Sequence, residues 1–387
     1  MNQATIFDVL IVYSERLAAS AGSLSKTAAA PFAKGSGNES YNLVYRYFLR
    51  TCRKNGLRAA FTTSADIVGA GKCKNFWLFE NETWIRMRKM GFSRLIFDKF
   101  SPRGKNIKAS RELLFSSRRI KPFNNPDLFN LCFDKQKTYD RLSKFSIPTI
   151  TVDRSKGIGQ ACRRLKKKVA RHLCREDFSK EIIIKDRFGA GGRLVYKFKA
   201  NQIRLMTALI KKHKKISFVI QPFVKFDKGF KYQNSPVPTD IRLIYFGKKI
   251  VQTYIRVAKK GNFICNEHQG GLLKYVSKNK LPSGVTAVSK NIANILNKKS
   301  SLFTLDFIIS NRGNIYLLEA NAGPGLDWNL SIKENEIEAK KLIRFIVKEM
   351  TERVGSLKTA LKRKAAATAD RLVIDQYPAL SNKLAVI

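Results

Sequence analysis

The chain has 387 residues, enough for two or three packed lobes, because single cores stop growing at about 250–300 residues. Its 44% apolar share is ordinary for a globular protein. No run approaches the ~18–20 apolar residues that span a bilayer. Residues 1–14 lack the basic start of a signal peptide and carry Asp8 inside a β-branched run, so a cytoplasmic protein with no membrane partner is expected. The 74 Lys and Arg against 29 Asp and Glu give a formal net charge of +45. That field attracts nucleic acid, anionic lipid or acidic substrates. The basic residues are spread along the chain without a zinc-finger, RNP or basic-zipper pattern. A nucleic-acid or ribosomal partner therefore rests on charge alone. Six cysteines, Cys52, Cys73, Cys132, Cys162, Cys174 and Cys265, form no C-x-x-C pair and read as reduced thiols.

Taken in order, residues 6–13 predict a strand, 41–54 a helix stopped by Gly56, and 57–62 and 94–97 two further strands. Strands alternating with helices imply a small parallel α/β lobe. Residues 18–40, rich in Ala, Ser and Gly, read as a long mobile loop. Asn125–Pro126 precedes a helix over 126–144, then a strand over 147–152 and a basic helix over 154–175. Residues 181–321 are strand-rich, interrupted by helices at 201–215 and near 288–298. A last helix over 335–354 places Ile337, Leu342, Ile343, Ile346 and Val347 near one face. After Gly355 the tail is basic and then Ala-rich.

Chemistry-bearing residues concentrate in the strand-rich part. Glu181–Lys185 is an apolar strand ending in a lysine, followed by Gly189, Gly191 and Gly192. Backbone N–H groups of such a loop approach phosphate while the lysine adds a point charge. This is not a Walker loop, since G-x-x-x-x-G-K-[ST] is absent. Residues 218–224 form a short apolar strand of the kind that lines a flat slot for an adenine base. Asp240 and Arg242 share one face of a strand that turns at Gly247, and Arg256 ends the returning strand. Asn266, His268 and a glycine pair follow; arginines here suit phosphate or a substrate carboxylate. Asp306, Glu319 and Asn321 lie on two apolar strands joined by Ser310–Asn314, with Asp306 opening the first. Two carboxylates and an amide oxygen suit a hard cation such as Mg2+.

This order of motifs closely resembles the ATP-grasp superfamily, specifically RimK-type glutamate ligases and their glutathione-synthetase-like relatives, from about Phe133 to Asp327. The resemblance implies an α/β protein, α+β in its catalytic lobes, with an ATP-grasp fold. It implies a pre-ATP-grasp-like domain over 1–125, a two-lobed catalytic domain over 126–355 and a tail over 356–387. Lys135, with Lys137 as alternative, and Lys185 resemble the phosphate-binding lysines, with Gly189, Gly191 and Gly192 as the covering loop. Gln221, Phe223 and Val224 match the adenine hinge. Pro222 stands where the family carries Glu, so base contacts fall to neighbouring backbone groups, as proline lacks an N–H. Asp227 is the ribose candidate. Asp240 and Arg242 match the D-x-R strand, Arg256 the arginine near the reacting carboxylate, and Asn266 and His268 the N-x-H segment. Asp306, Glu319 and Asn321 match the metal ligands. ATP and two Mg2+ ions, with Mn2+ as a substitute, are the implied cofactors. The implied reaction joins a carboxylate to an amine acceptor, such as an amino acid to an acidic peptide or protein, through an acyl phosphate. A phosphotransferase and a basic nucleic-acid-binding protein are the rival readings, and oligomeric state is open.

Overall fold

The computed structural model describes residues 3–18, 28–101, 103–231, 233, 236–298, 300–326 and 332–376, with backbone alone at 362 and 364–376. Much of the expected 18–40 loop and the end of the tail lie outside the described residues. The chain divides into two compact units. One comprises Met1–Phe100, Ala109–Phe123 and Lys340–Ile387; the other comprises Ser101–Lys108 and Asn124–Ala339.

In the first unit, β1 (Thr5–Tyr13), α1 (Tyr41–Lys54), β2 (Ala59–Thr63), β3 (Ile67–Gly69) and β4 (Lys72–Cys73) come first. They are followed by β5 (Phe76–Glu80), β6 (Thr83–Met87), β7 (Gly91–Lys99), α2 (Lys105–Leu114, shared at its start with the second unit) and β8 (Lys121–Pro122). The sheet order is β3-β4-β7-β1-β2-β5-β6, with β8 on β7. β1 runs parallel to β2 and β7, with Val9 opposite both Ala59 and Leu95. The expected parallel core is present, but β3 to β6 add antiparallel margins that the sequence reading lacks. β3 and β4 are too short to show alternation. The β5–β6 hairpin turns on Asn81 and Glu82, both at positive φ, without the Asn-Gly signature of such turns. α1 buries Val44, Tyr45, Phe48, Leu49 and Cys52, a stripe at the three-to-four-residue spacing of a helix face.

The second unit begins with α3 (Pro126–Phe133) and α4 (Lys135–Leu142), two helices where one was expected. Asp134 is the reason: its side chain accepts from the Gln136 and Lys137 N–H groups and so starts a new helix. β9 (Ile150–Val152), α5 (Ile158–Ala170), β10 (Phe178–Asp186), β11 (Val195–Lys199), α6 (Ile203–Lys212) and β12 (Phe218–Val224) form one lobe. Its antiparallel sheet has the order β11-β10-β12-β9. Ile182, Ile184, Phe218 and Ile220 face Ile158, Ala161 and Leu165 of α5 and Met206 and Ile210 of α6. Alternation therefore turns Ile183, Lys185 and Gln221 to the other face. β9 pairs only Phe218–Ile220 and stops short of Pro222, which has no N–H to give a third strand.

β13 (Thr239–Phe246), β14 (Lys249–Val257), β15 (Leu272–Tyr275), α7 (Ser283–Leu296), β16 (Leu302–Ile309) and β17 (Ile315–Ala322) build the other lobe. Its order is β15-β14-β13-β16-β17. Ile241, Leu243, Tyr245, Phe303, Leu305 and Phe307 pack on Val285, Ile292 and Leu296 of α7. The opposite face of the same strands thus presents Asp240, Arg242, Thr304 and Asp306. Asp306 sits in the middle of β16 rather than opening it. α8 (Lys333–Gln376) runs well past the expected end at Val354: Gly355 weakens a helix by only about 1 kcal/mol, and Lys, Leu and Ala after it are strong helix formers. Leu342, Ile343, Ile346 and Val347 are buried, but Ile337 is 45% exposed and leaves that face. Among the described residues no helix is long and apolar enough to cross a membrane, and the six cysteines are free.

Candidate active site

Register places the polar residues in rows across the second sheet. Asp240 is opposite Arg256, Arg242 opposite both Tyr254 and Asp306, and Asp306 opposite Glu319. Asn321 lies opposite Thr304, two residues from Glu319 and so on the same face. Arg242 donates to both Asp306 oxygens, at 2.6 Å from Nε and 2.5 Å from Nη2, and to the Tyr254 hydroxyl at 3.0 Å. Arg256 forks onto Asp240 at 2.8 and 2.9 Å and reaches Asp306 Oδ2 at 2.8 Å. Burial opposes ionisation of Asp306, but the charges of Arg242 and Arg256 and their hydrogen bonds outweigh it and hold its carboxyl below the usual range.

The first lobe brings its lysines to the same place. Lys185, 7% exposed, donates to the Leu318 carbonyl at 3.4 Å. Burial depresses its ammonium to about 8, with Lys135 adding to the effect and Glu319 opposing it. The Lys135 ammonium donates to the Gly189 carbonyl and stands 3.3 Å from Glu319 Oε1. Lys137 is exposed on the other side of α4, so Lys135 is the inward lysine. Arg187 forks onto Asp134 at 2.7 and 2.6 Å, and its carbonyl accepts from the Lys135 N–H at 3.2 Å. This clasp ties the first turn of α4 to the end of β10 and aims both lysines. The sequence reading missed it, although an Asp ahead of Lys-Gln-Lys carries the signature of a helix cap.

An open cleft lies beside these groups. Ile147, Phe223, Val224, Phe226, Phe263 and Ile308 supply apolar walls; Lys185, Gln221, Asp240, Arg256, Asn266 and Glu319 supply polar ones. Gln221 donates to Thr149 Oγ1 at 2.7 Å, and Phe223 is the half-buried side chain of the hinge, its neighbours being buried. The Lys197 ammonium lies 4.5 Å from the centre of the Phe223 ring and 5.3 Å from that of Phe263. Cys265 also lines the cavity, but burial pushes its thiol up and Sγ donates to the Pro238 carbonyl at 3.3 Å. It is a packing residue rather than a nucleophile.

The glycine loop folds against the segment after β14. Gly191 and Gly192 adopt φ of 72° and 69°, the left-handed region that side chains resist. A Cβ on Gly192 would stand 3.0 Å from both Gln269 Cγ and Ile264 Cγ2, and one on Gly191 would stand 3.5 Å from His268 Cδ2. Gly192→Val therefore carries both strain and a clash. It is expected to leave melting within a few degrees, because the loop is peripheral, while lowering kcat at least tenfold in steady-state assays.

Two candidates do not line the cleft. Asp227 does not line the cavity; it accepts from Asn311 in the β16–β17 turn at 2.9 Å. His268 is exposed, and its N–H donates to Asn266 Oδ1 at 2.9 Å, so Asn266 shapes the turn while its neighbour faces the glycine loop.

The donor chemistry fits a hard cation. A carboxylate has about four lone-pair sites; Asp306 uses three on the arginines, leaving one on Oδ1. Glu319 faces it across the strands and Asn321 adds an amide oxygen. Among the described residues no group of three or more His, Cys, Asp or Glu is placed to hold a metal. A cation on this set would thus draw on phosphate oxygens to complete its shell.

This architecture recurs in solved ligase structures. D-cycloserine synthetase superposes with a TM-score of 0.56 over 90% of this chain and 99% of its own, at 13% identity. The D-alanyl-alanine synthetase A from Vibrio cholerae O1 gives 0.54 over 90% and 99%, at 14% identity. The RimK domain ATP-grasp protein from Sphaerobacter thermophilus gives 0.51 over 87% and 98%, at 12% identity. At such identities the likeness establishes the fold, which is ATP-grasp. The chain belongs to the RimK-like ATP-grasp family: residues 134–346, more than half its length, match that family's domain model. It is 32% identical over 134 residues to a probable alpha-L-glutamate ligase from Coxiella burnetii, covering 35% of this chain and 39% of the relative. A protein of the same description from Legionella pneumophila is 31% identical over 170 residues, covering 43% and 50%. The matched segments therefore span half or less of those relatives.

Proposed function

We propose that the protein is an ATP-dependent carboxylate–amine ligase that adds an amino acid such as glutamate to a peptide, protein or small-molecule acceptor. The observation that carries this reading is the convergence of Lys185, Arg256, Asn266 and Glu319 on one cleft that also carries apolar walls at Phe223, Val224 and Ile308. In this reading the apolar walls around Phe223 receive the adenine. Lys135 and Lys185 hold phosphates, and the Gly189–Gly192 loop covers them and excludes water. Asp306, Glu319 and Asn321 would hold Mg2+, which would supply charge neutralisation to the phosphates. Arg256, locked by Asp240 and Asp306, orients the substrate carboxylate. A carboxylate oxygen attacks the γ-phosphorus and ADP departs. The amine then attacks the acyl carbon of the acyl phosphate; inorganic phosphate leaves, the amine loses a proton, and an amide remains. Fixed cations stabilise the negative charge that spreads during both displacements. The alpha-L-glutamate ligase descriptions of the relatives support glutamate as the first amino acid to test.

The test is ADP release from the purified protein given ATP, Mg2+ and pairs of amino acids and peptides, with products identified by mass spectrometry. ADP and phosphate released in equal amounts, only when both a carboxylate and an amine are supplied, are expected. A stable phosphorylated product with no amide would replace the ligase by a phosphotransferase.

A further inference from the structure

The nucleotide cavity occupies one face of the β11-β10-β12-β9 sheet; α5 and α6 cover the other. α5 exposes Arg163, Arg164, Lys166, Lys167 and Lys168. Beside it, α6 and the turn after it expose Arg204, Lys211, Lys212, Lys214 and Lys215. No Asp or Glu occurs from Arg154 to Arg175, nor from Arg187 to Phe226. Of the acids at its borders, Asp153 accepts from Ser217 Oγ at 2.5 Å, and Glu176 pairs with Arg175 Nε at 3.0 Å. We propose that this helical face is a docking surface for duplex nucleic acid, held through its phosphates without reading sequence.

Three observations select that occupant. The charges sit on two helices anchored by Leu165, Met206 and Ile210 in one apolar core, so they form a rigid array; α5 alone is about 20 Å long. A duplex meets such an array with a fixed density of about one negative charge per 1.7 Å. The two helices carry no Phe, Tyr or Trp, and the half-buried Tyr139 of α4 beside them is covered by the Lys168 ammonium, 4.5 Å from its ring centre, so the helices lack the open stacking platforms on which single strands are held. An acidic polypeptide matches the sign of the charge but is a flexible chain that must be ordered on binding. The face also backs onto the nucleotide site: Ile183 and Lys185 line the cavity while Ile182 and Ile184 meet the helices. A bound duplex therefore leaves the ATP cavity open.

The test is fluorescence anisotropy of the full chain with a labelled mixed-sequence DNA duplex of about 20 base pairs. Affinity is expected to fall by roughly a thousandfold between about 50 and 200 mM salt, as for about six neutralised phosphates. The combined Arg163→Ala, Arg164→Ala, Lys166→Ala and Lys167→Ala variant should lower the logarithmic salt slope by about 0.9 for each phosphate it ceases to neutralise. Lys259→Ala, Lys260→Ala, Lys278→Ala and Lys280→Ala together remove the same charge from other exposed positions and should leave the slope near its original value. Equal loss in the two variants would reduce the effect to diffuse charge and overturn the proposal. So would single-stranded DNA or polyglutamate binding as tightly as the duplex, or displacement of the duplex by Mg–ATP.

Discussion

Glu319→Gln is expected to remove about a thousandfold of kcat while leaving the melting temperature close to that of the unaltered protein. Asp306→Asn should lose activity and stability together. The contrast follows from what each carboxylate touches. Glu319 is about a quarter exposed and pairs with Lys135 at 3.3 Å, with Lys185 as a second charge nearby, and a partly exposed pair contributes roughly 0–1 kcal/mol. In the proposed reaction its loss would be felt through the metal, whose neutralisation of transferring phosphate is worth several kcal/mol, at 1.36 kcal/mol per tenfold in rate. Asp306 is fully buried and neutralises two arginines, Arg256 buried and Arg242 largely so. Removing one partner of a buried pair costs about 3–5 kcal/mol, because the remaining charge is left without compensation. Steady-state ADP release and calorimetric melting of both variants check this. Undiminished turnover in Glu319→Gln would withdraw the metal assignment, and an unchanged melting temperature in Asp306→Asn would withdraw the structural account of the arginine fork.

Lys185→Met is expected to weaken ATP binding and turnover by a hundredfold or more without destabilising the fold. A lysine held near about 8 in the folded chain, against about 10.4 unfolded, is charged at a cost below pH 8. That cost is relieved as pH rises from 8 toward 10.4, where the unfolded chain still binds a proton that the folded chain has released, so its own contribution to stability increases there. The difference corresponds to about 3 kcal/mol. Methionine fills similar space with no charge to desolvate, so the variant is expected to melt at the same temperature or higher. Triphosphate binding restores the charged form. Below pH 8 the ammonium is already present; above it, binding must take up a proton, and ATP affinity should fall by as much as tenfold per pH unit. Calorimetric titration with ATP at several pH values, in buffers of different ionisation enthalpy, would show this uptake in the unaltered protein and its loss in Lys185→Met. A pH-independent affinity between 7 and 9 would contradict it.

Much of the second unit was legible because its residues carry two signals at once. Lys185, Asp240, Arg256 and Glu319 combine strand alternation with a charge that an apolar core cannot accommodate, and Gly191 adds a backbone need in the turn between two strands. Their order along the chain therefore exposed the site before any spatial neighbour was known. The pairings were not legible. That Arg242 and Arg256 both close on Asp306 depends on the register between β13, β14 and β16, and register follows from packing across the sheet. Asp134 and Arg187 meet across fifty-three residues, beyond the reach of local pattern. The first unit was less readable at its margins. The β5–β6 turn uses Asn81 and Glu82 where glycine is the usual sign, and β3 and β4 are shorter than one period of a convincing pattern. The α8 boundary differs for another reason: the apolar face that marks the helix ends near Val354, while the helix-forming residues beyond Gly355 carry the helix on.

The arginine fork on Asp306 has a bearing on which cation can work there. With three of its four acceptor positions taken, this carboxylate can offer a metal one oxygen but cannot clasp it with two. Ca2+, which takes six to eight oxygens and favours bidentate carboxylates, would be poorly served. Mg2+ demands about six oxygens in near-octahedral array and readily keeps waters and phosphates among them, so it loses little. By rationing lone pairs, Arg242 and Arg256 would act as a filter on ionic size although neither touches the ion.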